Sequence, residues 1–426
     1  MDHFHYRDGQ AYCEDLSLES LAEEYGTPLY VYSRATLQRH LQRVKESFSI
    51  YPTVPCFAVK ANSNLSILRD VFRSGFGADV VSGGELERAL LAGVDPKKIV
   101  YSGVGKRHDE IKAALTAGIM SFNVESSFEL AMIEEVAASL KLRAPISLRI
   151  NPNIDAKTNP KIATGLYSTK FGMSEGEARS LVEGLNQYPH IELVGIACHI
   201  GSQITSLQPL GEAAARMAQL AIDWQESGLK LKYLNMGGGL GIRYRDETPP
   251  EIEEYAETLL QSVRKTGLTL AIEPGRVILG NVGVLLTRVI GVKTTPQKNF
   301  LIVDGAMNDL IRPSMYDSYH NILPVREAKD QAVQDYDVVG PICETGDLFG
   351  KDRRLPLQKQ NDLVFLRACG AYGSTMASNY NSRPRPAEVL VDGQQSYLIK
   401  PRESLEQLWW GEQIDIPEVI GNAKHS

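Results

Sequence analysis

A lysine closes the run Phe57-Ala58-Val59-Lys60-Ala61-Asn62, directly after a stretch apolar enough to be a buried strand. Val54, Phe57 and Val59 recur among smaller or polar residues, and Asn62, Ser63 and Asn64 then open a helical pattern carrying Ile67, Leu68 and Val71. Lys60 is thereby placed at the carboxyl end of a strand, the end at which α/β proteins gather their chemistry. An amine withdrawn from water loses its proton more readily and can condense with an aldehyde; pyridoxal phosphate is the cofactor to which that chemistry first points. Taken alone, a strand-end lysine is more often one that reaches out to solvent.

Other groups of reactive type follow similar runs. Glu273-Pro274-Gly275-Arg276 sets a carboxylate and a guanidinium three apart. A buried glutamate there can keep a pyridine nitrogen protonated, although an Arg–Glu structural pair is the plainer reading. Gly237-Gly238-Gly239-Leu240-Gly241 can bring backbone N–H groups to a phosphate, or can simply turn the chain. It is not a dinucleotide fingerprint, because Ile242 holds the sixth position, and Gly103-Val104-Gly105-Lys106 is no Walker loop, because Arg107 follows. Alternation points either Cys198 or His199 into a barrel mouth, where an imidazole can stack on an aromatic ring or serve as an ordinary core residue. Cys343-Glu344 offers a proton donor to a carbanion and a partner for an ammonium, against the reading of cysteine as a small hydrophobe. Arg312 and Tyr316 together can clamp a carboxylate or pack on the surface.

These residues need elements to hold them, and the chain supplies a regular alternation. Strand patterns fall at 53–60, 77–81, 98–102, 120–124, 146–151, 193–199, 232–236 and 269–273, with amphipathic helical segments between them. Eight such repeats imply an α/β architecture with a closed parallel (β/α)8 barrel over 35–280. Polar or glycine residues follow each strand in order: Lys60; Asp79 with Ser82; Ser102; Asn123; Arg149 with Asn151; His199 with Ser202; Gly237 to Gly239; Glu273 with Arg276. Eight strands delivering such residues to one rim is hard to explain as packing. After residue 281 short β-rich runs at 282–295, 299–303, 333–339, 362–367 and 387–391 read as a separate β domain over 281–426. The opening 1–34, through Pro28-Leu29-Tyr30-Val31-Tyr32, is expected to add a strand to it.

At 426 residues, 43% hydrophobic and 23% charged, the composition is that of a globular chain with two domains. A net charge of −7 and the lack of a basic stripe argue against nucleic acid as a partner. No apolar run approaches a membrane span, and the opening residues lack the pattern of a secretory signal, which leads to the expectation of a cytoplasmic protein. Five scattered cysteines, at 13, 56, 198, 343 and 369, suit free thiols, and none has zinc-ligand spacing, so no metal is expected.

Over nearly its whole length the chain resembles the fold type III pyridoxal phosphate-dependent decarboxylases, whose architecture is alanine racemase-like, and within them the branch acting on diaminopimelate. The resemblance is carried by FAVKAN at 57–62, ADVVSGGE at 78–85, TKFGM at 169–173, HIGSQ at 199–203, GGGLG at 237–241 and EPGR at 273–276. CETGD at 343–347 and GAYGSTMASNYNSRPRP at 370–386 discriminate most. The resemblance implies Lys60 as the Schiff-base lysine, His199 as the ring-stacking residue and Glu273 as the partner of the pyridine nitrogen. Asp79, Ser202, Gly238, Gly239, Gly275, Arg276 and Tyr372 would complete the cofactor site. Arg276, Arg312, Tyr316, Glu344 and Tyr372 would bind substrate, and Cys343 would donate a proton across the interface of a homodimer. The implied reaction is decarboxylation of meso-2,6-diaminopimelate to L-lysine. The stretch 155–161 matches the family's lid but carries Asn159-Pro160-Lys161 where many members have His-Pro-Tyr. Ornithine or arginine decarboxylation is disfavoured by Arg312 and Tyr316, a racemase by CETGD, and a non-catalytic scaffold by the complete set of cofactor residues.

Overall fold

The computed structural model describes residues 2–156, 158–159, 161–162, 164–166, 169–327 and 331–414. Pro160 of the lid stretch and the final twelve residues assigned to the β domain therefore lie outside the described residues. Eight parallel strands, Thr53–Ala58, Gly77–Val80, Ile99–Tyr101, Ser121–Val124, Ala144–Arg149, Ile191–Ala197, Tyr233–Asn235 and Thr269–Ile272, close into a barrel in chain order. The last strand meets the first through Leu270 opposite Thr53 and Ala271 opposite Val54. Each overlaps an expected run, the fifth and sixth beginning and ending two residues earlier than expected, because strands buried on both faces are nearly continuous apolar stretches bounded by polar residues.

The first strand is shorter than expected. It ends at Ala58, whose N–H donates to Pro274 O (3.1 Å), and Val59–Ala61 form one 3-10 turn. Ala61 O then accepts from Tyr372 N (2.7 Å), so this segment bonds to other loops and leaves the ladder. Lys60 is consequently carried on a turn at the rim. The following helix, Leu65–Arg73, starts where the Asn64 side chain accepts from Ser66 N, and buries Ile67, Leu68 and Val71 against the barrel. Side chains of this size stabilise by about 1.5–3 kcal/mol each on full burial. Ser82, Ser126 and Ser174 cap the helices Gly83–Leu91, Ser127–Leu140 and Glu175–Glu183 in the same way.

The second sheet is built around Gly283–Thr294, a twelve-residue strand. Its order runs Leu348–Pro356, Val333–Val339, Asn299–Val303, Gly283–Thr294, Leu29–Ser33, Ala387–Asp392, Gln395–Lys400, with Leu363–Leu366 also pairing Gly283–Thr294. The early strand Leu29–Ser33, buried at all five residues, thus lies between strands from the far half of the chain. Leu348–Pro356 was not expected. Its charged Lys351, Asp352, Arg353 and Arg354 suit an edge strand, and among the described residues it pairs only with Val333–Val339. A further small antiparallel sheet, Phe4–Arg7, Gln10–Cys13 and Leu16–Ser17, was also unexpected. Among the described residues no helix is long and apolar enough to cross a membrane.

Candidate active site

At the carboxyl rim of the barrel the Lys60 ammonium donates to Asp79 Oδ2, from the second strand. Asp79 is fully buried, and its Oδ1 has no partner among the described residues. The exposed third of the Lys60 side chain (38%) borders a cavity of about 190 Å³. Burial works against the ammonium charge, but Asp79, Tyr372 and Glu273 outweigh it and raise the Lys60 pKa above the ordinary lysine value. This corrects the expectation of an amine readily deprotonated by desolvation, because burial here comes together with carboxylates.

Glu273, at the end of the eighth strand, does not pair with Arg276. It accepts instead from Asn235 Nδ2 (2.7 Å) and Asn123 Nδ2 (3.2 Å), the first from the end of the seventh strand and the second from the fourth. Burial, reinforced by Asp79, pushes its carboxyl above the usual range. His199 stands on the other side of the cavity and accepts from Gly238 N at Nδ1 (3.2 Å), which puts the proton of the neutral ring on Nε2. Burial, then Arg149 and Lys60, hold its pKa well below that of a free imidazole. A Cβ on Gly238 would lie 2.2 Å from Glu273 O. Gly239 has φ +117, and a Cβ there would lie 2.5 Å from Gly201 O, so both positions require glycine.

Two guanidiniums line the same cavity, each 6% exposed. Arg276 donates to Ser202 Oγ (3.1 Å) and Tyr244 Oη (2.7 Å), and lies 4.7 Å from the centroid of Tyr372. Arg312 donates to Ser318 Oγ (3.2 Å) and His320 Nε2 (3.3 Å), between the rings of Tyr244 and Tyr316. Among the described residues neither is ion-paired. A second cavity of about 270 Å³ shares Ile162, Arg276, Arg312 and Tyr316 with the first, so the site extends outward past the arginines. The lid stretch reaches it, Asn159 Nδ2 donating to Tyr316 O (3.3 Å) and Lys161 Nζ to Met315 O (2.6 Å), and just after it Thr164 Oγ1 donates to His199 O (2.7 Å).

The cavity wall therefore unites Lys60, His199, Ser202, Gly238, Gly239, Glu273, Gly275, Arg276, Arg312, Tyr316 and Tyr372, with Asp79 behind Lys60. Cys343 and Glu344 do not reach it within their own chain. Both are exposed; Cys343 N donates to Asn381 Oδ1 (3.1 Å) and Glu344 accepts from Tyr380. Sequence reasoning passed over Asn235, Tyr244 and His320. Asn235 had a signal, since it ends the strand before the glycine run; the other two lie in loops with no motif of their own.

An aromatic, phosphate-bearing aldehyde fits these residues. Two buried cations without carboxylates require anions, the glycine cradle leaves room for a close approach, and Asp79 Oδ1 and Asn123 Oδ1 are buried acceptors without a partner among the described residues. The family model described as pyridoxal-dependent decarboxylase, pyridoxal binding domain, matches residues 34–280. The chain is 51% identical to the diaminopimelate decarboxylase of Vibrio cholerae over 98% of its own length and 100% of that protein's. It is similar to the crystal structure of diaminopimelate decarboxylase from Helicobacter pylori complexed with L-lysine (TM-score 0.89, 42% identity, covering 92% and 98% of the two chains). It is also similar to the corresponding L-lysine co-complex from M. jannaschii (TM-score 0.93, 36% identity, covering 97% and 98%).

Proposed function

The chain belongs to the pyridoxal-dependent diaminopimelate decarboxylases, and from that premise we infer how its own residues remove carbon dioxide from meso-2,6-diaminopimelate to leave L-lysine. The observation that carries the inference is the pair of buried, unpaired guanidiniums facing one cavity with Lys60 at its floor. One anion comes with the cofactor and the other with the substrate.

Bound pyridoxal phosphate supplies an aldehyde for amines and a ring that accepts electrons from the bond being broken. Lys60 would hold the cofactor through its aldehyde carbon, and Asp79, its hydrogen-bond partner, would keep the free amine protonated and in place. Arg276, Ser202 and the N–H of Gly239 would hold the phosphate, with Gly238, Gly275 and Tyr372 beside it. Glu273, oriented by Asn123 and Asn235, would pair with the ring nitrogen, and its carboxylate would favour the protonated and more electron-accepting form. His199, kept neutral, would wall one face of the ring. Arg312 and Tyr316, with Arg276 alongside, bind the carboxylate that the product retains; fixing that end aligns the carboxylate to be lost.

Cys343 and Glu344 belong to the site of a second copy in a homodimer. There the Cys343 thiol gives its proton to the carbon that has lost carbon dioxide, and Glu344 pairs the substrate ammonium. Residues 35–280 form the cofactor-binding unit, and 1–34 joins 281–426 as the second. Five free cysteines suit a reducing compartment, the cytoplasm.

Carbon dioxide release from meso-diaminopimelate, L-ornithine and L-arginine, measured in parallel with a Lys60→Ala control, tests the reading. Release from diaminopimelate alone, abolished in the control, is the expected result. Release from ornithine or arginine would contradict the assignment of Arg312 and Tyr316, and release from none with cofactor bound would contradict the whole.

A further inference from the structure

We propose that His320 is a positioning residue for substrate recognition: it is locked in one neutral tautomer that turns the Arg312 guanidinium toward the substrate's retained carboxylate. The inference rests on the assignment of Arg312 above. His320 is fully buried, and its Nδ1 lies 2.9 Å from Arg367 O. A carbonyl can only accept, so Nδ1 carries the proton. Nε2 is then a lone-pair acceptor, and Arg312 Nε, which can only donate, points at it from 3.3 Å. The two bonds are mutually consistent in this tautomer and in no other. Protonation would set a second cation against Arg312; burial and Arg312 together push the imidazole pKa down to about 3.

The bond matters because it fixes the guanidinium plane. Nε is held by His320 and Nη2 by Ser318, while Nη1 has no protein hydrogen bond among the described residues. The Tyr244 ring meets His320 edge-on at 5.4 Å, and Tyr244 Oη accepts from Arg276 Nη1. The His320–Tyr244 pair thus holds two like-charged side chains at one cavity without neutralising either. Arg367, whose carbonyl anchors the ring, is itself tied to Asp2. A carboxylate partner in place of His320 would satisfy Arg312 internally and weaken its hold on a ligand.

The test compares ligands that differ only in the recognised group. L-lysine keeps the carboxylate in question and cadaverine lacks it. In the holoenzyme, His320→Phe is expected to raise KM for diaminopimelate and Ki for L-lysine together by about tenfold, the scale of a hydrogen bond to a charged group. It should leave kcat within about twofold and Ki for cadaverine unchanged. His320→Gln, which can offer an oxygen to Arg312, should recover most of the loss. Equal weakening of lysine and cadaverine, or unchanged KM, would overturn the proposal. If neither variant folds, ring-nitrogen NMR of the histidine-labelled wild type decides: a buried ring protonated at Nδ1 and untitrated near neutrality is expected, and protonation at Nε2 would refute it. Should the wild type itself make no lysine from diaminopimelate, the failure lies in the assigned reaction.

Discussion

Glu85 shows how the charge at the rim is balanced residue by residue. It lies in the first turn of the helix that begins at Gly83 and accepts from Val81 N (2.9 Å). Burial raises its pKa to about 7; Lys60 opposes the rise and Asp79 adds to it. The folded cofactor-free protein therefore keeps a proton that the unfolded chain releases near the ordinary value of 4.5. Stability from this group is present in full below that value and is lost as pH rises toward 7. Glu85→Gln is expected to flatten the fall in urea midpoint between pH 5 and pH 7.5, and an unchanged slope would exclude Glu85 as its source. At this scale the sequence showed the residues that end strands and hid those that orient them. Lys60, His199 and Glu273 follow apolar runs and were legible. His320 and Tyr244 act through a tautomer and a ring edge, properties that exist only once distant loops meet.

Between elements, the decisive contact is that of the lid with the short helix Arg312–Tyr316. The two residues that depart from the family pattern, Asn159 and Lys161, both donate to its backbone carbonyls. The helix carries Arg312 and Tyr316, proposed above to bind the retained carboxylate, and on that proposal these bonds would couple the lid to the substrate subsite. Lys161→Met is expected to speed amide hydrogen exchange at 312–316 and to raise KM by roughly two- to fivefold, the scale of one exposed bond to a charged donor. Unaltered exchange would show that the two elements move independently. All eight barrel strands could be read because both of their faces are apolar. The strand Leu348–Pro356 could not, since an edge strand tolerates Lys351, Asp352, Arg353 and Arg354 where a central one would not. The 3-10 turn at Val59–Ala61 was likewise hidden, because the bond from Tyr372 N that draws the chain out of the sheet comes from more than 300 positions away.

For the molecule as a whole, the proposal that the exposed Cys343 and Glu344 complete the site of a second copy can be tested directly. Mixing a Lys60→Ala chain with a Cys343→Ala chain should restore activity through hybrid dimers carrying one intact site. Absence of recovery from hybrids shown to have formed would place Cys343 outside the reaction.

The position of Leu29–Ser33 between Gly283–Thr294 and Ala387–Asp392 also has a consequence for how the protein is made. The strand leaves the ribosome early, and its first neighbour begins at Gly283, about 250 positions after Ser33. At the ~5–20 residues per second of synthesis, that is roughly 12–50 s with two bare edges. A nascent chain stalled within the barrel therefore holds a largely apolar strand whose edges nothing yet translated can pair, and a message broken before residue 387 yields a product in which this strand stays open on one side.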